Sequence, residues 1–302
     1  MKQPVAPAKP RSYYGRPVIK QPTWTPEVPI YFFAGGLAGA SAGLAFAARL
    51  TGNRKLARVA TRNAFLGIAV SPPLLISDLG VRARFFNMLR VFKVTSPMSV
   101  GSWILTVEGG VVTLAAAHEF LGWFPRPLAR IAEGLAALLG MPLATYTAAL
   151  IANTAVPAWH EGRRELPFAF AGGSAMAAGG AASLVLRDKH GGPARRLAII
   201  GAATEAVAME VMQRRLGMLA ESYKEGTAGK LEKATMVAAG GGAVVMTAAE
   251  ARKSRGLGVI GAAMMLAGSM LGRWMVFKAG FQSAADPKYT VEPQRERLTQ
   301  PR

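Results

Sequence analysis

Eight apolar stretches, each long enough to cross a bilayer and separated by short basic loops, organise nearly the whole chain. The cleanest covers residues 28–48, 21 residues without a charge, and residues 134–159 and 166–186 repeat the pattern. A span needs about 20 largely apolar residues, because each adds about 1.5 Å against about 30 Å of hydrocarbon. Lipid offers no water to backbone groups, so such stretches must be helices. The expected fold is an all-α integral membrane protein of eight transmembrane helices, arranged as two four-helix bundles.

The spans fall near residues 29–50, 60–79, 98–121, 131–157, 166–186, 198–216, 231–249 and 257–279. This divides the chain into a basic, Pro-rich tail (1–27), a first bundle (28–160), a second bundle (161–280) and a polar C-terminal tail (281–302) expected to be weakly ordered. The tail holds no charged-then-apolar leader pattern, so the first span is expected to act as an uncleaved insertion signal. Pro72-Pro73 should kink the second span. Between spans two and three, Phe85, Phe86, Leu89 and Phe92 recur at helical spacing among Arg82, Arg84, Arg90 and Lys93, which suggests an amphipathic interfacial helix.

The net charge of +19 would suggest nucleic acid in a soluble domain. Here the basic residues sit between spans, where anionic lipid headgroups are the simpler partner, an acidic protein the second choice, and nucleic acid is not expected. An even number of spans puts both termini on one side. Loops on the opposite side carry 14 Lys or Arg against 11 on the terminus side, so the positive-inside rule leans toward termini outside the cytoplasm of a multi-pass bacterial membrane protein.

The chain has no cysteine, which rules out an iron–sulfur cluster or thiol chemistry of its own. It has three histidines, of which His160 and His190 fall in loops, so it cannot supply the facing pair that a membrane haem takes. No catalytic residue and no metal ligand set is apparent.

Ionisable groups at membrane depth are functional candidates because they are costly there. Glu108, Glu205, Glu210 and Arg273 lie inside spans. Arg273 with Glu210 could form a structural ion pair. Glu108 and Glu205 lie deeper, and a carboxyl that can take up and release a proton suits a proton route. On the terminus side of the first four spans, Glu27, Tyr31, Asp78, Ser96, Ser99, Trp103 and, deeper, Tyr146 gather the densest polar and aromatic group there. Hydroxyls and carboxylates at that depth suit an amphipathic head group with two carbonyls, such as a quinone. On spacing alone, an aromatic belt of anchoring side chains is the better reading of Trp24, Tyr31 and Trp103. The spacing Gly35-x-x-x-Gly39-x-x-x-Gly43 reads as a stripe for close helix packing.

Several segments together resemble the NrfD/PsrC family, the membrane subunits of polysulfide, nitrite and related molybdenum oxidoreductases. They are Tyr31-Phe32-Phe33-Ala34-Gly35-Gly36-Leu37-Ala38-Gly39, Ile76-Ser77-Asp78-Leu79-Gly80, Ser96-Pro97-Met98-Ser99-Val100-Gly101-Ser102-Trp103, and Tyr146-Thr147 followed by Ala155-x-Pro157-x-Trp159. The resemblance covers about residues 24 to 280. It implies a quinone or quinol site in the first four helices. Electrons would pass to or from a four-cluster ferredoxin-like iron–sulfur subunit and, beyond it, a molybdopterin catalytic subunit. Tyr146 stands where the family's fourth helix places a quinone-contacting tyrosine. Where some members carry a histidine and an asparagine on the first helix, this chain has Tyr31 and, near the asparagine, Val28 or Glu27. Two readings compete with this one. A secondary transporter would need a central site and often inverted repeats. A purely structural anchor would need no site at all.

Overall fold

The computed structural model describes residues 17–186 and 188–299, without the side chains of residues 294 and 296–299. Most of the basic tail expected at 1–27, and the last three residues, lie outside the described residues. Among the described residues the structure is helical, with no strand.

Eight long helices carry the fold: α1 (Glu27–Leu50), α2 (Arg54–Ser77), α3 (Pro97–Leu121), α4 (Arg126–Ala152), α6 (Leu166–Val185), α7 (Gly192–Leu216), α9 (Gly226–Ala251) and α10 (Arg255–Ala285). Short helices α5 (Pro157–Glu161) and α8 (Glu221–Lys224) lie between them, and α11 (Lys288–Thr299) follows. Seven of the eight are long and apolar enough to cross a membrane, and the protein is a multi-pass membrane protein. The exception is α7, whose run of apolar residues is broken by Arg195, Arg196, Glu205, Glu210, Gln213, Arg214 and Arg215.

Local chemistry sets the helix ends. Asn53 caps α2 by accepting from the Leu56 N–H, and its Nδ2 donates to the His190 carbonyl. Ser96 caps α3 and Ser254 caps α10. Proline occupies the first turn of α3, α4 and α6, where its missing N–H costs nothing. Gly122 closes α3 in the left-handed conformation, which glycine adopts without penalty.

In the first half of the chain, α1 packs on α2 and α4, and α3 packs on α2 and α4. In the second, α6 packs on α7 and α10, and α10 on α9. The halves meet where α1 and α4 pack on α6. At the α1–α4 crossing, Gly39 and Gly140 face each other so closely that a Cβ on either would strike the other's backbone. Gly39 thus realises the stripe read from the sequence, whereas open space faces Gly43.

Three expectations are revised. The fourth span stops at Ala152 rather than near residue 157. Pro157 lacks an N–H and forces Val156 to be extended, so Trp159 falls on α5 instead. There it is fully buried, stacks on Trp24 at 5.3 Å, and donates Nε1–H to the Val276 carbonyl at 2.7 Å. This contact brings the segment before α1 and the end of α10 to the same end of the molecule, called the terminus end below. The segment between α2 and α3 forms a 3-10 helix over Arg82–Leu89 with no buried residue. The tail after residue 286 is helical in α11, because Tyr289 is buried and Lys288 reaches Glu221 at 2.8 Å.

Candidate functional site

The terminus end of α1–α4 holds the aromatic and polar residues singled out above. Tyr31, in the second turn of α1, is 2% exposed, and its hydroxyl has no hydrogen-bond partner. Its ring meets that of Tyr146 edge-on at 6.5 Å. Tyr146, on α4, is half-buried, and its ring lies directly against Gly101 of α3, where any Cβ would collide with it. The sequence motif around Ser99 and Gly101 therefore has a steric purpose: only glycine lets the Tyr146 ring cross α3. The two tyrosines, on α1 and α4, are more than a hundred residues apart in sequence.

The other candidates at this end lie around that pair. Asp78, which caps the end of α2, accepts at Oδ1 from the Thr25 N–H at 3.0 Å and the Thr25 hydroxyl at 2.7 Å. It ties the segment before α1 to the end of α2. Glu27 begins α1, and its Oε2 is buried without a partner. Ser99 donates to the Val91 carbonyl at 2.9 Å and accepts from the Lys93 N–H at 3.0 Å, so it shapes the approach to α3. Trp103 Nε1 is buried and unpartnered, and its ring meets Phe92 edge-on at 6.3 Å.

Deeper in the membrane, Glu108 on α3 is fully buried, with neither carboxyl oxygen hydrogen-bonded. Glu205 on α7 is 6% exposed and lies beside the backbone of Gly172 and near Gly173 and Gly272. Arg273 on α10, 1% exposed, also comes up against Gly173. One Arg273 nitrogen, Nη2, donates to the Phe170 carbonyl at 2.6 Å and the Ser174 hydroxyl at 3.1 Å, and the guanidinium covers the Phe170 ring at 4.0 Å. The Arg273–Glu210 pair envisaged from the sequence does not form. Glu210 faces outward and pairs with Arg214 one turn along at 2.6 Å, while Arg273 is turned inward toward Glu205. Glu108 and Glu205 belong to different halves of the molecule.

Two cavities near these groups were not legible in the sequence. One, of about 330 Å³, opens between α7, α9 and α10 and is lined mostly by Ala, Met and Ile, with Glu205, Glu232 and Thr235 in its wall. The other, of about 770 Å³ at the terminus end, lies between Ala155, His160, Arg215, Met218 and Tyr289 and is not lined by Glu27, Tyr31, Asp78, Ser99 or Tyr146. The first forms where three successive long helices diverge, and the second where segments far apart in sequence meet. No group of His, Asp and Glu among the described residues could hold a metal ion, and the chain has no cysteine.

A helical, multi-pass membrane protein with buried carboxyls and a tyrosine pair at one end defines the class. The family model described as Polysulfide reductase, NrfD_2, matches residues 11–285, and the chain belongs to this NrfD polysulfide reductase family. Membership implies a membrane subunit of a quinone-linked oxidoreductase. No curated protein matches the chain.

Proposed function

We propose that the protein is the quinone- or quinol-reacting membrane subunit of a multi-subunit oxidoreductase in the bacterial cytoplasmic membrane. In this reading α7 also crosses the membrane and brings the count to eight, the spans group as α1–α4 and α6, α7, α9 and α10, and the terminus end faces outside the cytoplasm. The chain exchanges electrons with a four-cluster ferredoxin-like iron–sulfur subunit docked on that end, which serves a molybdopterin catalytic subunit. The observation that carries the reading is the Tyr31 hydroxyl, buried without a partner and edge-on to Tyr146. An unsatisfied buried hydroxyl costs about 1–3 kcal/mol, and a quinone carbonyl or quinol hydroxyl would relieve that cost.

The substrate's head group sits at the Tyr31–Tyr146 edge. Tyr146 is the more exposed of the two, so the head group approaches from its side. Both tyrosines hydrogen-bond the substrate oxygens and fix its orientation. Oxidation of quinol to quinone releases two electrons, which leave for the partner's cluster, and two protons, which need nearby acceptors. Asp78 spends Oδ1 on Thr25, which leaves Oδ2 to exchange a proton with water. Glu27 offers a second carboxylate. Glu108 extends the proton route inward from the first half, and Glu205 serves the second. The reduction of quinone runs through the same groups in reverse.

The test is the assembled complex carrying Tyr146→Phe or Tyr31→Phe. Quinol-linked turnover should fall about tenfold, the equivalent of one hydrogen bond lost from a bound head group, while the subunits still copurify. Unchanged turnover in both variants would remove the tyrosines from the site.

A further inference from the structure

At the end of the molecule opposite the tyrosines, a cavity of about 320 Å³ is lined by Arg49, Arg54, His118, Arg126, Arg130 and Glu133, with Ala129 behind. The charges there are unbalanced. Arg49 donates through Nη2 to Glu119 at 2.8 Å and to Glu133 at 2.5 Å. Arg58 lies 3.8 Å from the other Glu119 oxygen. These contacts use both nearby carboxylates. Arg54, Arg126 and Arg130 have no acidic partner among the described residues, yet all three face one cavity. Three neighbouring cations without a counter-charge repel one another, the more weakly for being exposed, and an anion in the cavity would offset that repulsion.

The backbone adds to this charge. Arg54 opens α2 and Arg126 opens α4, so two helix N-termini bring their positive ends to the cavity. The N-terminus of α4 has no side-chain cap. Between the cavity-lining His118 and Arg126 the chain forms an apolar rim: Leu121 and Trp123 are exposed, Trp123 to 72%. An anion that carries acyl chains uses both the arginines and this rim, whereas a free anion uses only the arginines.

We infer that this arginine-lined cavity at the α2 and α4 N-termini binds the phosphodiester headgroup of an anionic phospholipid, whose acyl chains lie along Leu121 and Trp123. Arg54, Arg126 and Arg130 hold the phosphate, and the Arg49–Glu119–Glu133 ion pairs hold the cavity open. The inference is independent of the quinone reading, because the cavity lies at the opposite end of the helices.

The experiment uses the full-length protein purified in detergent and titrated with phosphatidylglycerol or phosphatidylcholine, with bound lipid counted by native mass spectrometry. The wild type should retain phosphatidylglycerol and not phosphatidylcholine. Arg54→Gln/Arg126→Gln/Arg130→Gln should weaken phosphatidylglycerol retention by at least about tenfold, since each surface arginine contributes several-fold. Lys224→Gln/Lys230→Gln/Lys233→Gln removes the same charge from the terminus end and should leave retention unchanged. The single variant Arg126→Gln, at an exposed position, serves if the triple variant does not fold, and should weaken retention several-fold. Two results would overturn the inference: retention that survives the arginine changes, or release of the lipid by millimolar inorganic phosphate, which would show a free-anion site.

Discussion

One buried arginine organises the second half of the molecule. Arg273 joins α10 to α6 through Phe170 and Ser174 and lies with Glu205 of α7 against Gly173. Its charge was legible in the sequence, and so was its depth. Its neighbours were not, because hydropathy fixes where a residue sits along a helix and not which helix it faces. Glu210, one turn beyond Glu205, was the wrong choice for the same reason: it lies on the exposed face of α7. Ion pairs outside the spans are simpler to read. Arg215 donates to both oxygens of Glu165, each at 2.7 Å, and these hydrogen bonds hold the Glu165 carboxyl below its ordinary value. A depressed folded value adds stability above the unfolded value of about 4.3. That stability disappears as pH falls through the folded value. Glu165→Gln should therefore lower stability near neutral pH by about 1 kcal/mol given the partly exposed pair, read as a lower thermal midpoint. The difference between wild type and variant should close as the pH is taken below 4. A gap that stays constant with pH would show that the ion pair contributes nothing.

At the scale of helices, the crossing of α1 and α4 depends on two glycines without side chains at the contact. Gly39→Leu should force these helices apart and cost about 1–3 kcal/mol, the usual penalty for overpacking. Gly43→Leu, facing open space, should cost little. Thermal unfolding in one detergent compares the two, and equal midpoints would remove Gly39 from the crossing. The long helices were legible because each repeats apolar residues over a bilayer's thickness. The breaks were less legible: Val156-Pro157 divides the fourth span from Trp159, and Tyr289 turns an expected loose tail into α11. A proline inside a helix is tolerated in α2, where Pro72 and Pro73 lie within an unbroken helix, so proline alone does not mark an end. Only the tertiary contact of Trp159 with Trp24 and Val276 distinguishes the two cases.

At the scale of the whole molecule, the tyrosine pair and the arginine cavity occupy opposite ends of the first four helices. The tyrosine end carries orphan buried polar atoms and the arginine end carries unpaired cations, so the two ends suit different ligands. Membership of the polysulfide reductase family was legible in the motifs at Tyr31, Asp78, Ser96 and Tyr146. The packing of Tyr146 on Gly101 and the α7–α9–α10 cavity at Glu205 were not, because hydropathy gives the depth of a residue along its helix but neither the rotation of neighbouring helices nor the gap between them. The central claim is that quinone reacts among α1, α3 and α4. A photoreactive quinone analogue, crosslinked to the assembled complex and mapped by mass spectrometry, tests it most directly. Labelling on α1, α3 or α4 near Tyr31 and Tyr146, lost on addition of excess quinone, is the predicted result. Displaceable labelling on α7 or α9 around Glu205 instead, with α1, α3 and α4 unlabelled, would contradict it.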